Sequence, residues 1–142
     1  MKIYEVVLEE KGEYNGPTDA SDSDKVIEIL RNYGLHKRAE ECMVLLTLNS
    51  DLEVTGIFEV ARGNVDEIVI ELREIMKRAC LMNATEIILA HNHVAPSDAA
   101  PSDEDIELTK KISVCGRMLG IHLIDHIVIS MEDAVSIKEI IG

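Results

Sequence analysis

The sequence has no uninterrupted apolar run near the roughly 18 residues a membrane-spanning helix needs, and its opening Met1-Lys2-Ile3-Tyr4-Glu5 lacks the apolar stretch of a secretory signal. A soluble, cytoplasmic protein is expected. Cysteine is scarce: Cys42, Cys80 and Cys115 form an odd set with no CxxC pair, and each falls in an apolar-periodic segment. That pattern excludes a disulfide framework and predicts buried, reduced thiols. Basic residues are also few, with 14 Lys and Arg against 27 Asp and Glu and a net charge of −13. Such a field repels phosphate backbones and anionic lipid, so direct nucleic-acid binding is disfavoured. Internal repeats and low-complexity segments are missing, and 46% hydrophobic with 29% charged residues is ordinary globular composition. At 142 residues the chain can bury a substantial core without reaching the length at which cores divide, so residues 1–142 are expected to form one domain.

Ile3 to Leu8 reads as a strand, followed by a polar loop from Glu9 to Ser21. Ser21 or Ser23 can cap a helix carrying Val26, Ile27, Leu30 and Tyr33 and ending at Gly34. Cys42 to Leu48 is apolar enough for a fully buried strand; turn chemistry at Asn49-Ser50-Asp51 then joins it to Val54–Val60 as an antiparallel hairpin. From Asp66 to about Met82, Ile68, Leu72, Ile75, Met76 and Ala79 keep a 3.6-residue period, which predicts an amphipathic helix. A short buried strand, Thr85–Ala90, leads to a proline-bearing loop. A helix from Ser102 follows, with Ile106, Thr109, Ile112, Cys115 and Leu119 on one stripe before Gly120; a strand His122–Ser130 and a short last helix close the chain. Strands alternating with helices, plus one hairpin, predict an α/β (α+β) fold: a mixed central sheet flanked by helices.

The strongest local signal for chemistry is His91-Asn92-His93, because residues i and i+2 of a strand share a face and two imidazoles there can converge on one metal ion. Ser102 reads as a helix N-cap with Asp105 at the third helical position, a capping-box pair. A carboxylate held in a first turn can also turn an oxygen toward a metal. Two histidines, one carboxylate and water make the ligand set of a catalytic zinc site. Glu59, near the end of its strand, is the candidate base for the water, provided a neighbouring strand brings it beside His91 and His93. Asp125-His126 is candidate support for the ligands from outside the coordination shell.

Glu59, the HxH pair His91 and His93, and the SxxD pair Ser102 and Asp105 together resemble the JAMM motif of MPN-domain metallopeptidases. Phe58 to Gly63, Arg73-Glu74, Ile88 to His93, Pro101-Ser102 with Glu104-Asp105-Ile106, and Leu119-Gly120-Ile121 with Asp125-His126 look closer still to the RadC family, in order over about the last two thirds of the chain. The resemblance implies a JAB/MPN-like, cytidine-deaminase-like architecture. It also implies one Zn2+ per chain on His91, His93 and Asp105, proton abstraction by Glu59, oxyanion stabilisation by Ser102, and hydrolysis of a peptide or isopeptide bond. Val94 stands where the family has proline, and the loop Val94 to Pro101 has eight residues where the family has seven. The additional residue either bulges out or displaces Ser102 and Asp105, in which case Asp98 or Glu104 becomes the substitute ligand.

The expected partner is a peptide or protein substrate, with a homo-oligomer open. The rival readings are a non-catalytic MPN-like scaffold module and a DNA-processing protein, the latter suggested by the DNA-repair label of the family. The letters HNH do not make a nuclease, whose motif spreads over a hairpin and helix, and a zinc deaminase would need HxE followed by PCxxC.

Overall fold

The computed structural model describes residues 1–63 and 72–142. Its elements run α1 (Ser23–Tyr33), β1 (Glu41–Leu48), β2 (Val54–Gly63), α2 (Leu72–Leu81), β3 (Glu86–Asn92), α3 (Asp103–Met118), β4 (His122–Ile129), β5 (Ala134–Ser136) and α4 (Ile137–Ile141). The five strands form one mixed sheet in the order β2-β1-β3-β4-β5. The pair β3/β4 is parallel, with α3 as its crossover, and the other pairs are antiparallel. The expected mixed sheet flanked by helices is therefore present.

Both faces of the sheet are covered, which explains why β1 is apolar without alternation and buried at all eight positions. On one face, Val26, Ile29 and Leu30 of α1 pack on Val44, Leu46, Ile88, Ala90 and Ile127. On the other, Ile75, Met76 and Ala79 of α2 and Ile112 of α3 pack on Met43, Leu45, Ile87, Leu89 and Leu123. In β1 and β3 alternate residues divide between the two faces, which also assigns the polar residues at the end of β3, whereas a register shift in β4 puts Leu123 and Ile127 on opposite faces. Gly116 lets α3 close onto the sheet. A Cβ there would strike the Ile121 carbonyl, and the Ile121 amide donates to the Gly116 carbonyl at 2.7 Å.

Several expectations are corrected. Ile3 to Leu8 forms no strand: residues 1–15 carry no regular structure, and Ile3, Tyr4, Val6, Val7 and Leu8 are exposed. β-branched composition needs a ladder partner to become a strand, and no described strand pairs with it. The N-cap of α1 is Asp22, whose carboxylate accepts from the Lys25 amide, rather than Ser21 or Ser23; the helix does stop at Gly34, whose φ of 91° is left-handed. Strand β2 runs on to Gly63. The first part of the expected 66–82 helix, with Ile68, lies outside the described residues. Cys42 is buried, but Cys80 is exposed and Cys115 only half-buried, because each sits beside rather than on the buried stripe of its helix. No helix among the described residues is long and apolar enough to cross a membrane.

Candidate metal centre

His91 is the sixth residue of β3, at the strand's carboxyl end, where open α/β sheets place their ligands. It pairs with Met43 and shares the α2/α3 face of the sheet with Leu89. His93 follows on the same side, its amide donating to the Ile129 carbonyl at 2.9 Å. Asp105 reaches this face from the first turn of α3, which Ser102 caps through a complete capping box. The Ser102 hydroxyl accepts from the Asp105 amide (3.1 Å), and Asp105 Oδ2 accepts from the Ser102 amide (2.9 Å). That same Oδ2 lies 3.3 Å from His91 Nε2 and 3.9 Å from His93 Nε2. His91, His93 and Asp105 each offer a ligand atom within 4.8 Å of the others.

The donor set suits a divalent metal. His93 Nδ1 sits 2.7 Å from the Asp98 carbonyl, which can only accept, so Nδ1 carries the proton and Nε2 presents its lone pair to the site. Burial on its own pushes the Asp105 carboxyl up, but the hydrogen bond and charge of His91 and the Ser102 amide and hydroxyl outweigh it and hold the group below the ordinary aspartate range. The carboxylate is therefore ionised, as a ligand must be.

The lengthened loop keeps this geometry. Ala99 is buried against Val128 and Ile137, and the Asp98 carbonyl is the acceptor that orients His93. Neither proposed substitute ligand is drawn in: the Asp98 carboxylate accepts from the Ala100 amide, and Glu104 is exposed.

Glu59 is not where it was expected. In the sheet β1 lies between β2 and β3, and Glu59 pairs with Val44, which pairs in turn with Ala90. Those partners face α1, so Glu59 is on the side of the sheet opposite His91. There it accepts from Arg62 at 2.8 Å and Arg38 at 3.3 Å. Burial pushes its carboxyl up, yet the bonds from Arg62 and Cys42 and the charges of Arg62 and Arg38 hold it below the ordinary glutamate range.

The carboxylate that does reach the site is Glu41, the first residue of β1. Continuing the antiparallel register past Met43↔His91 sets Glu41 opposite His93 on the same face, and Glu41 Oε1 lies 3.9 Å from His93 Nε2. Glu41 is only 3% exposed. The middle residue of the histidine triplet fixes this strand end: Asn92 Oδ1 accepts from the Cys42 amide at 2.7 Å, and Asn92 Nδ2 donates to the Glu40 carbonyl at 3.0 Å. The signal for Glu41 lay in the sequence as a charged residue heading an apolar strand, two residues before Met43 and so on the same face.

Asp125 and His126 separate into different roles. His126 Nε2 lies 2.9 Å from His91 Nδ1, and complete burial, followed by the charge of His91, holds its ring well below the ordinary histidine range. Asp125 touches no ligand. Its carboxylate accepts from Ser136 Oγ (2.7 Å) and from the His126 (2.7 Å) and Lys138 (3.2 Å) amides, tying β4 to β5 and α4; burial pushes it above the ordinary aspartate range despite these bonds. Asp125→Ala leaves buried donors without an acceptor, which costs about 1–3 kcal/mol. At roughly 2–4 °C per kcal/mol the melting temperature should fall by about 2–12 °C, with metal content unchanged. Loss of metal from a folded variant would place Asp125 in the site.

Comparison with known proteins agrees with this geometry. A family model described as RadC-like JAB domain matches residues 20–141. The UPF0758 protein of Clostridium beijerinckii is 41% identical over 100 residues, covering 70% of this chain and 43% of its own length. A UPF0758 protein of Clostridium botulinum is 36% identical over 113 residues, 80% of this chain and 49% of the relative, and one of Geobacillus thermodenitrificans is 36% identical over 101 residues, 71% and 44%. The chain spans less than half the length of these relatives.

Proposed function

The chain belongs to the RadC-like JAB domain family, and from that membership and the site geometry we propose that it is a zinc-dependent hydrolase of the JAMM type, acting on a peptide or isopeptide bond. The observation that carries the reading is the convergence of His91 Nε2, His93 Nε2 and Asp105 Oδ2 beside the buried Glu41 carboxylate.

His91, His93 and Asp105 would hold the ion. A bound zinc would act as a Lewis acid on the scissile carbonyl and lower the pKa of an attacking water into the neutral range. Glu41, on the His93 side of the cluster, is the carboxylate that would accept a proton from the attacking water and pass it to the leaving amine. Ser102 Oγ already accepts from the Asp105 amide, so its own proton is available for the oxyanion that develops on the substrate. The net charge of −13 supports a peptide or protein substrate over a nucleic acid.

The test is elemental analysis of wild type and His93→Ala purified without chelator, followed by mass spectrometry of peptide-linked and Lys-ε-linked substrates. About one zinc per wild-type chain, little in His93→Ala, and cleavage that stops with chelator are expected. A wild type that binds no zinc on reconstitution would sink the reading, and metal-dependent cleavage of DNA instead would redirect it.

A further inference from the structure

Behind His91 runs a short chain of hydrogen bonds that ends on the backbone of Asp105. Thr109 Oγ1 lies 2.7 Å from the Asp105 carbonyl, one turn back along α3, and 2.7 Å from His126 Nδ1; His126 Nε2 lies 2.9 Å from His91 Nδ1. Thr109 is 2% exposed and His126 0%. We propose that Thr109 and His126 are positioning residues that fix the ring plane of His91 and commit its Nδ1 to His126, so that Nε2 is the nitrogen facing His93 and Asp105.

The directions of the bonds follow from what each atom can do. A carbonyl only accepts, so the single hydroxyl proton of Thr109 goes to Asp105. Thr109 Oγ1 must then accept from His126, which puts the ring proton of His126 on Nδ1. An enclosed, neutral imidazole has one proton, so His126 Nε2 is an acceptor and His91 Nδ1 carries the hydrogen between them. Nε2 is then the His91 nitrogen turned to the site, 3.3 Å from Asp105 Oδ2. The two ring centroids lie 4.9 Å apart with the planes at 63°. His93 reaches the same state through one carbonyl, that of Asp98, whereas His91 needs two side chains. Asp105 thus contributes twice from one helical turn: its carboxylate faces the histidines, and its carbonyl anchors the chain that orients one of them.

This inference rests on the metal-site reading for its purpose, but the proton positions stand without metal, so the two can fail separately. Long-range 1H–15N correlation spectra of metal-free wild type should show both His91 and His126 protonated at Nδ1. Thr109→Val keeps the shape and removes the acceptor; His126 then turns to the Nε2–H form, and His91 moves its proton to Nε2. Zinc affinity, measured by competition with a chromophoric chelator, should fall about 10- to 100-fold, and Thr109→Ser should restore both readouts. A folded Thr109→Val with wild-type ring spectra and affinity would overturn the proposal. If that variant does not fold, the wild-type spectrum decides, since a His91 with no proton on Nδ1 there is equally fatal. Absence of zinc binding in wild type would remove the metal reading and leave the ring spectra to judge the relay.

Discussion

Glu41→Gln is expected to lower hydrolysis by about 10²- to 10⁴-fold, the usual span of a lost general base, while zinc content stays at the wild-type level. The amide keeps the volume of a residue that is 3% exposed and removes the basic oxygen that lies 3.9 Å from His93 Nε2. Glu59→Gln is the decisive contrast. Its carboxylate is held by Arg62 and Arg38 on the face of the sheet that carries α1, so its loss should leave both turnover and metal within about twofold of wild type, as for surface ion pairs generally. Steady-state rates and elemental analysis on the two variants separate the assignments. If Glu59→Gln lost turnover and Glu41→Gln kept it, the sheet face would be the wrong criterion for choosing the base.

That contrast also marks where the sequence stops being legible. Parity along a strand is written in the sequence, so His91 and His93 could be placed on one face and Ser102 and Asp105 at a helix start, and the structure brings those residues together. Strand order is not written there. Glu59 was named on the condition that a neighbouring strand brings it beside His91 and His93, whereas β1 lies between β2 and β3, and a register break between Met43 and Val44 leaves Val60 without a partner in β1 and settles which side Glu59 takes. One residue of slip in a strand reverses every side chain beyond it, so a bulge can defeat a motif match. Glu41 escaped for the complementary reason: the apolar run begins at Cys42, and only the pairing of Met43 with His91 reveals that the residue before that run faces the histidines. The tail at Ile3–Leu8 shows the same limit, since its β-forming composition was plain, whereas no described strand pairs with it. Asn92, Thr109 and His126 are polar residues at positions that composition reads as strand and helix interior, and their roles depend on atoms supplied by other elements.

Removing metal should have the second large effect. A ligand that binds only the folded chain stabilises it by RT ln(1 + [L]/Kd), about 4 kcal/mol when free zinc is a thousandfold above Kd. At roughly 2–4 °C per kcal/mol for a chain of this size, chelation should lower the wild-type melting temperature by about 8–16 °C. Asp105→Asn should abolish that difference. The asparagine oxygen can still accept from the Ser102 amide, so the cap survives, whereas the charge that faces both histidines is gone. Comparing each protein with and without chelator cancels the smaller cost of losing the Asp105 contact to His91, because that cost is present in both arms. Differential scanning calorimetry reads the result: a chelator-dependent shift in wild type and none in Asp105→Asn assigns the stabilisation to this carboxylate. An equal shift in both would move the metal to ligands other than Asp105, and no shift in either would mean that the fold closes this cluster without an ion.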